Sequence, residues 1–281
     1  MQQTIELARR YEIPVYTHIY ASRGMALQAR MTLPEYSGLL IRRLADEGVL
    51  DPRLNFAHSV WLSREEVELL AEHGAGVVLN PQVNLKMKCG IPPIRMLQDA
   101  GVRIGLGCDN CNCSDTQNMF VAMKLFGLLA AVSGPIPGPP QAIAAIRSAT
   151  EAGADSARLG HAIGRIATDF KADLTLIDMN DPSWSPMNSA ARQLVHVEAG
   201  RGARTVLVGG NVVVRDRKLT SVDETTIYEA VKAVMPKFWK DFAVISARVA
   251  KLQPWLDRAH KQIMDAELDI ERLPFQGRGS R

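Results

Sequence analysis

At 281 residues the chain is long enough for one large domain or two ordinary ones, and 47% hydrophobic with 22% charged residues excludes a chain that is disordered, collagen-like or coiled coil throughout. Thirty-three Lys and Arg against 30 Asp and Glu leave a net charge of +3 with no long block of one sign, which gives no case for a nucleic-acid partner. Four cysteines do not make a disulfide scaffold. No apolar run reaches the ~18–20 residues needed to cross a bilayer; the best, residues 120–132, is interrupted by Lys124. The first residues, MQQTIELARRYEIPVYTHIY, carry no signal-peptide pattern. A soluble, cytoplasmic protein with no membrane or nucleic-acid partner is expected.

In chain order, residues 2–11 have helical spacing and IPVYTHI (13–19) is an apolar, β-branched run that predicts a strand. Residues 34–47 predict a helix ending at Gly48, and LNFAHSV (54–60) a second strand. Ser63 with Glu66 makes a capping box that opens a helix closed by Gly74. AGVVLNP (75–81) predicts a strand, 91–101 a helix and VRIGLGCD (102–109) a strand. Near-continuous apolar strands alternating with helices indicate βα units and a parallel sheet buried on both faces. Residues 119–132 and 141–159 predict two helices joined by the turn-rich SGPIPGPP (133–140). From Ala172 short strands follow, ADLTLID (172–178), ARTVLVGG (203–210) and NVVVRD (211–216), the last two joined by a hairpin at Gly209-Gly210. Residues 223–268 return to helix, and the closing GRGSR is expected to fray. Only four βα units are counted where a closed barrel needs eight, and Met1 leads straight into a helix, so the chain reads as starting in the middle of a fold.

His18, His58, Asn80 and Asp109 all fall at or near the C-terminal ends of predicted strands, which is where a (β/α) architecture places its active site. Two imidazoles and a carboxylate suit a borderline divalent ion such as Zn²⁺, and the carboxylate can serve a water as general base. The competing reading is structural, with the histidines satisfied in packing and Asp109 bracing its loop. Cys108, Cys111 and Cys113 (C-x2-C-x-C) flank Asp109; they are read either as small loop residues or as part of a thiolate metal site. His73, His161, His196 and His260 lie off the rim, and the Met and aromatic residues of 228–256 read as core or oligomer contact.

THIYASR (17–23), NFAHSVWLSREE (55–66), VVLNPQVNLKMKCGIPPIRMLQDAGVRIGLGCDN (77–110), SATEAGADSARLGHAIGRIATDFKADLTLID (148–178) and VLVGGNVVVRDRK (206–218) follow one another in the order of the amidohydrolase superfamily. They resemble its cytosine/guanine deaminase and triazine hydrolase branch. The resemblance implies an α/β fold: residues 1–160 as the strand five-to-eight half of a TIM barrel, 161–222 as a β-sandwich segment, and 223–281 as C-terminal helices. It implies His18 and Asp109 as metal ligands, for Zn²⁺ (or Fe²⁺) at one ion per site. His58 and Asp109 become catalytic residues, and Gln82 and Asn84 border the substrate. The activity implied is hydrolysis of a carbon–nitrogen bond on an amino-substituted nitrogen heterocycle by metal-activated water. Alternatives are hydrolytic dechlorination of a triazine-like ring, and a non-catalytic half-barrel acting through self-association; a small-molecule substrate and a homo-oligomer are the expected partners. Three positions depart from the branch. No His-x-His occurs in the sequence, Ala21 stands where deaminases carry a glutamate, and Asn80 stands where a histidine is common.

Overall fold

The computed structural model describes residues 1–134 and 140–273. Most of the 133–140 connection and the terminal GRGSR lie outside the described residues. The described residues form two compact units, one made of residues 1–134, 140–172, 178–202 and 269–273, the other of residues 173–177 and 203–268.

The first unit opens with α1 (Gln2–Tyr11), then strand β1 (Val15–Ile19), helix α2 (Arg23–Thr32), a 3-10 turn at Pro34–Tyr36 and α3 (Leu40–Asp46). There follow β2 (Leu54–His58), α4 (Arg64–Glu72), β3 (Gly76–Leu79), α5 (Pro81–Lys86), α6 (Ile94–Asp99) and β4 (Arg103–Leu106). The short α7 (Cys111–Ser114), α8 (Met119–Val132), α9 (Ala142–Ala149), α10 (Glu151–Ser156), a 3-10 turn at Pro182–Trp184 and α11 (Ala190–His196) complete it. The four strands form one parallel sheet in the order β1-β2-β3-β4. Residues of β2, β3 and β4 are almost all buried, as strands covered on both faces must be, whereas β1 alternates, with Tyr16 and His18 exposed. The core is closed by Ile41, Leu44, Val67, Leu70, Ile94 and Leu97 from the covering helices, each under a tenth exposed.

Four expectations differ in detail. The helix read over residues 34–47 is a 3-10 turn followed by α3, because Ser37 and Gly38 take positive φ (56° and 73°) and break the helical path. Residues 141–159 are likewise two helices, broken at Thr150, whose φ of −118° and ψ of −82° are not helical. Helices α2, α5, α7 and α11 were not legible as separate elements, being short or lacking a clean apolar period. The capping box stands as read. Ser63 Oγ accepts from the Glu66 amide (3.2 Å) and Glu66 Oε2 from the Ser63 amide (3.0 Å). Glu66 is fully buried, and burial pushes its carboxyl above the usual range.

The lower end of the unit is tied by Asp51. It accepts from Arg9 Nε (2.8 Å), from the Arg53 amide (2.9 Å) and from the Arg53 guanidinium (3.2 Å). Burial pushes its carboxyl up, but these bonds together hold it below the ordinary value of 3.8. An acid depressed in the folded state contributes stability above its unfolded pKa and loses it as pH falls through the folded value. We therefore expect Asp51→Asn to cost about 1–2 kcal/mol at neutral pH. In urea unfolding between pH 2 and 7, the gap between the two proteins should hold constant above about pH 5 and close below about pH 3. A gap that widens in acid would contradict the arrangement.

The second unit is an antiparallel sheet, β5-β6-β7-β8 (Leu174–Ile177, Ala203–Val208, Asn211–Arg215, Lys218–Leu219), and one helix, α12 (Glu224–Asp265). The β6–β7 hairpin turns on Gly209 and Gly210 at φ 55° and 83°, the pair of positive values a type I′ turn needs. Residues 223–268 thus hold a single helix of 42 residues, although Pro236 and Pro254 lie within it. Among the described residues no helix is long and apolar enough to cross a membrane.

Candidate functional site

Parallel strands bring their C-terminal ends to one edge of the sheet, and the register aligns His18 with Ala57 and Ile19 with His58. Backbone bonds fix this rim. Ser59 N–H donates to Ile19 O, and the amides of Val60 and Trp61 both donate to Tyr20 O (3.1, 3.2 and 3.2 Å). At the turns out of β1, β2 and β4 the chain takes positive φ at non-glycine residues: Tyr20 (44°), His58 (68°), Ser59 (52°) and Asp109 (60°). Such backbone costs of order 1–3 kcal/mol per residue and gathers at functional sites.

His58 stands at the centre and is 6% exposed. Its ring lies 5.2 Å from that of His18, centroid to centroid, and its Nε2 lies 3.7 Å from Asp109 Oδ2. The second distance is too long for a hydrogen bond. On the other side His58 Nδ1 meets Asn84 Oδ1 at 3.0 Å. An amide oxygen there makes Nδ1 the protonated nitrogen and leaves the Nε2 lone pair facing Asp109. We expect ¹⁵N NMR of the ring to show that tautomer. In Asn84→Ala the two tautomers should mix, whereas an unchanged spectrum would mean that Asn84 does not set it.

The residues singled out in the sequence are thus brought together unequally. His18, His58 and Asp109 share the rim, with His18 on the exposed face of β1. Asp109 is anchored by the Asn110 amide on its Oδ1 (2.6 Å), while the Gln117 side chain donates to its carbonyl. Asn80 is buried behind the rim, so close to Gly107 that a methyl group built there would stand 2.4 Å from Asn80 Oδ1. Gln82 donates to the carbonyl of Ser114 and braces α5 against α7. Asn84 is fully buried and spends its oxygen on His58, while its Nδ2 has no partner among the described residues. Its contact with His58 could not be read from spacing, because 26 residues separate the two and only the pairing of β2 with β3 unites them.

Among the described residues no group of three His, Cys, Asp or Glu comes close enough together to hold a metal ion. Zinc sites take three or four protein ligands. His18 and Asp109 therefore do not fit a complete site, although imidazole and carboxylate are the right donor types. Burial pushes the thiols of Cys89 and Cys108 up, which makes them poor thiolate ligands, and Cys111 is exposed.

A parallel strand set with a histidine–histidine–aspartate rim at its C-terminal edge is a (β/α) arrangement. A family model described as "Amidohydrolase family" matches residues 1–213, and the chain belongs to that family. Among curated relatives, 5-methylthioadenosine/S-adenosylhomocysteine deaminase of Syntrophobacter fumaroxidans is 29% identical over 82% of this chain and 52% of its own length. 5'-Deoxyadenosine deaminase of Methanosarcina mazei is 30% identical over 80% of this chain and 51% of its own. Among solved structures, an adenosine deaminase of Xanthomonas campestris with bound zinc superposes with a TM-score of 0.77 at 24% identity, covering 84% of this chain and 53% of that one. Atrazine chlorohydrolase of Arthrobacter aurescens, complexed with zinc, superposes with a TM-score of 0.73 at 24% identity, over 83% and 51% of the two chains. At that identity the structural likeness speaks for the fold. The chain spans about half the length of the curated relatives it matches.

Proposed function

We propose that this chain carries the strand five-to-eight half of an amidohydrolase barrel and takes part in hydrolysing a carbon–nitrogen bond on an amino-substituted nitrogen heterocycle, in the cytoplasm. In this reading residues 1–160 are the half-barrel, 161–222 a β-sandwich segment and 223–281 the C-terminal helices. The observation that carries it is the rim itself, where β1, β2 and β4 deliver His18, His58 and Asp109 to one place. The names of the curated relatives, deaminases of 5'-methylthioadenosine, S-adenosylhomocysteine and 5'-deoxyadenosine, support a purine nucleoside with an exocyclic amine as the substrate of this reading.

In deamination, water oxygen bonds to the ring carbon and the C–N bond breaks. One water proton leaves on ammonia and the other ends on the ring nitrogen. Asp109, 18% exposed and opposite the His58 Nε2 lone pair, takes the proton from water and delivers it to the leaving nitrogen. His58, held by Asn84, orients the water or the substrate through Nε2. Ala21 offers no proton, so the one bound for the ring nitrogen comes from Asp109 or from solvent. His18 and Asp109 are the residues of this chain that would hold a Zn²⁺ (or Fe²⁺) ion, as two of its ligands. A bound ion would polarise water and lower its pKa. Gln82, bonded to the Ser114 carbonyl, and Asn84, bonded to His58, border the substrate in this reading.

The test is ammonia release from 5'-methylthioadenosine, adenosine, guanine and cytosine, and chloride release from atrazine, with the chain alone and co-expressed with the strand one-to-four half of the Syntrophobacter deaminase. Ammonia from a purine nucleoside in the assembled barrel is the expected result. Chloride alone would move the reading to a halide leaving group. Turnover of none by a well-folded assembly would sink it in favour of a non-catalytic half-barrel.

A further inference from the structure

Within the first unit, residues 269–273 form a short strap whose bonds go to two loops next to the rim. Arg272 O accepts from the Ile91 amide at 2.7 Å. The Arg272 guanidinium donates through Nε to Val60 O (3.2 Å) and through Nη2 to Leu62 O (3.0 Å). Val60 and Leu62 are both 0% exposed, and among the described residues no backbone amide donates to either carbonyl. Buried carbonyls need a donor, so Arg272 supplies what this loop lacks in itself. Burial in turn pushes the guanidinium below its usual range, and its hydrogen bonds to the two carbonyls are what offset that cost. Gly90 is matched to the strap. Its φ is 117°, and a methyl group built there would stand 2.8 Å from Arg272 O, so the close approach of the two backbones requires glycine.

The two loops carry the two sides of one contact. Val60 follows His58 by two residues in the chain. Ile91 belongs to the turn after α5, where the Cys89 amide donates to Asn84 O at 2.8 Å. Between the loops, Trp61 Nε1 donates to Cys89 O at 2.7 Å. Arg272 makes the second tie, gripping the His58 side with its side chain and the Asn84 side with its backbone. Inside this frame lies the 3.0 Å contact of His58 Nδ1 with Asn84 Oδ1.

We propose that Arg272 is a positioning residue for the rim: by tying Val60 and Leu62 to Ile91 it keeps His58 Nδ1 on the Asn84 oxygen and His58 Nε2 directed at Asp109. The planar fork of an arginine reaches two carbonyls at once, whereas a lysine offers one compact charge on a flexible stem. Arg272 acts through His58 and not on the reacting atoms. Its consequence for turnover rests on the role given to His58 above.

Arg272→Ala and Arg272→Lys in the full chain test this, read by ¹⁵N NMR of the His58 ring and by hydrogen exchange of the Ile91 amide. Neither readout needs turnover, so failure here is separate from failure of the enzymatic reading. In both variants the Ile91 amide should exchange about tenfold faster, the worth of one lost hydrogen bond, and the two His58 tautomers should mix as in Asn84→Ala. Arg272→Lys keeps the charge and the stem, so it gives the answer even if Arg272→Ala fails to fold. Asp269→Asn removes only the ion pair with Arg30 at 3.5 Å, on a carboxylate 67% exposed, and should change neither readout. Faster exchange at Ile91 with a wild-type His58 spectrum would make the strap a packing device and overturn the proposal. Wild-type behaviour of Arg272→Lys in both readouts would overturn it as well, since the charge without the fork would then suffice.

Discussion

Asp109→Asn in the assembled barrel is expected to lower ammonia release about 10²–10⁴-fold while leaving the fold intact, the range that one positioned acid–base group contributes. The side chain is isosteric, and its Oδ1 still accepts from the Asn110 amide, so the loop that carries it has no reason to move. What is lost is the basic carboxylate oxygen 3.7 Å from His58 Nε2. An amide does not accept a proton near neutral pH. The effect should fall on kcat with the unfolding midpoint unchanged. A variant that retains more than a tenth of the wild-type rate would remove Asp109 from the proton path.

Trp61→Ala should be among the most destabilising single changes in the first unit, at about 3–5 kcal/mol. Trp61 heads the largest fully buried side chains at 0% exposure. Its Nε1–H donates to Cys89 O at 2.7 Å, and the Arg23 guanidinium lies over the ring at 5.9 Å. Truncation opens a cavity and leaves a carbonyl without its donor, costs that add. Trp61 also follows the His58–Ser59 turn, and its backbone amide donates to Tyr20 O, a bond that alanine keeps, so the loss is one of side-chain packing. Trp61→Phe keeps most of the volume and should lose about half as much. Urea unfolding reads both, and a midpoint barely altered by Trp61→Ala would mean that this part of the core is not packed as described.

Much of this is visible in sequence because parallel strands covered on both faces are nearly pure apolar runs. VVL at 77–79 and LNFAH at 54–58 could hardly be anything else, and the polar residue that ends each run marks the rim. The capping box was equally plain, since Ser63 and Glu66 need only three residues of spacing. Helices α5 and α11 escaped because six or seven residues do not establish a period, and the split at Ser37-Gly38 depends on a backbone turn that periodicity does not register. At the site, types and positions were legible but partners were not. Asn84 read as a residue bordering the substrate, yet it is buried and holds His58, a contact made only when β2 and β3 pair. The apolar residues of α12 were legible as helical spacing, recurring every three or four positions from Ile227 to Leu256.

Titration of Zn²⁺ into the isolated chain, followed calorimetrically in wild type, His18→Ala, Asp109→Ala and Cys111→Ala, tests most directly the claim that this rim is an amidohydrolase half-site. Structural sites of four ligands gain about 10–16 kcal/mol on binding zinc. Two ligands should supply about half of that, a Kd of about 10⁻⁶–10⁻⁴ M. The account predicts weak binding in that range, lost in His18→Ala and in Asp109→Ala and unaffected by Cys111→Ala. Tight zinc that survives both rim substitutions and disappears in Cys111→Ala would contradict it, because the metal chemistry would then belong to the cysteine loop.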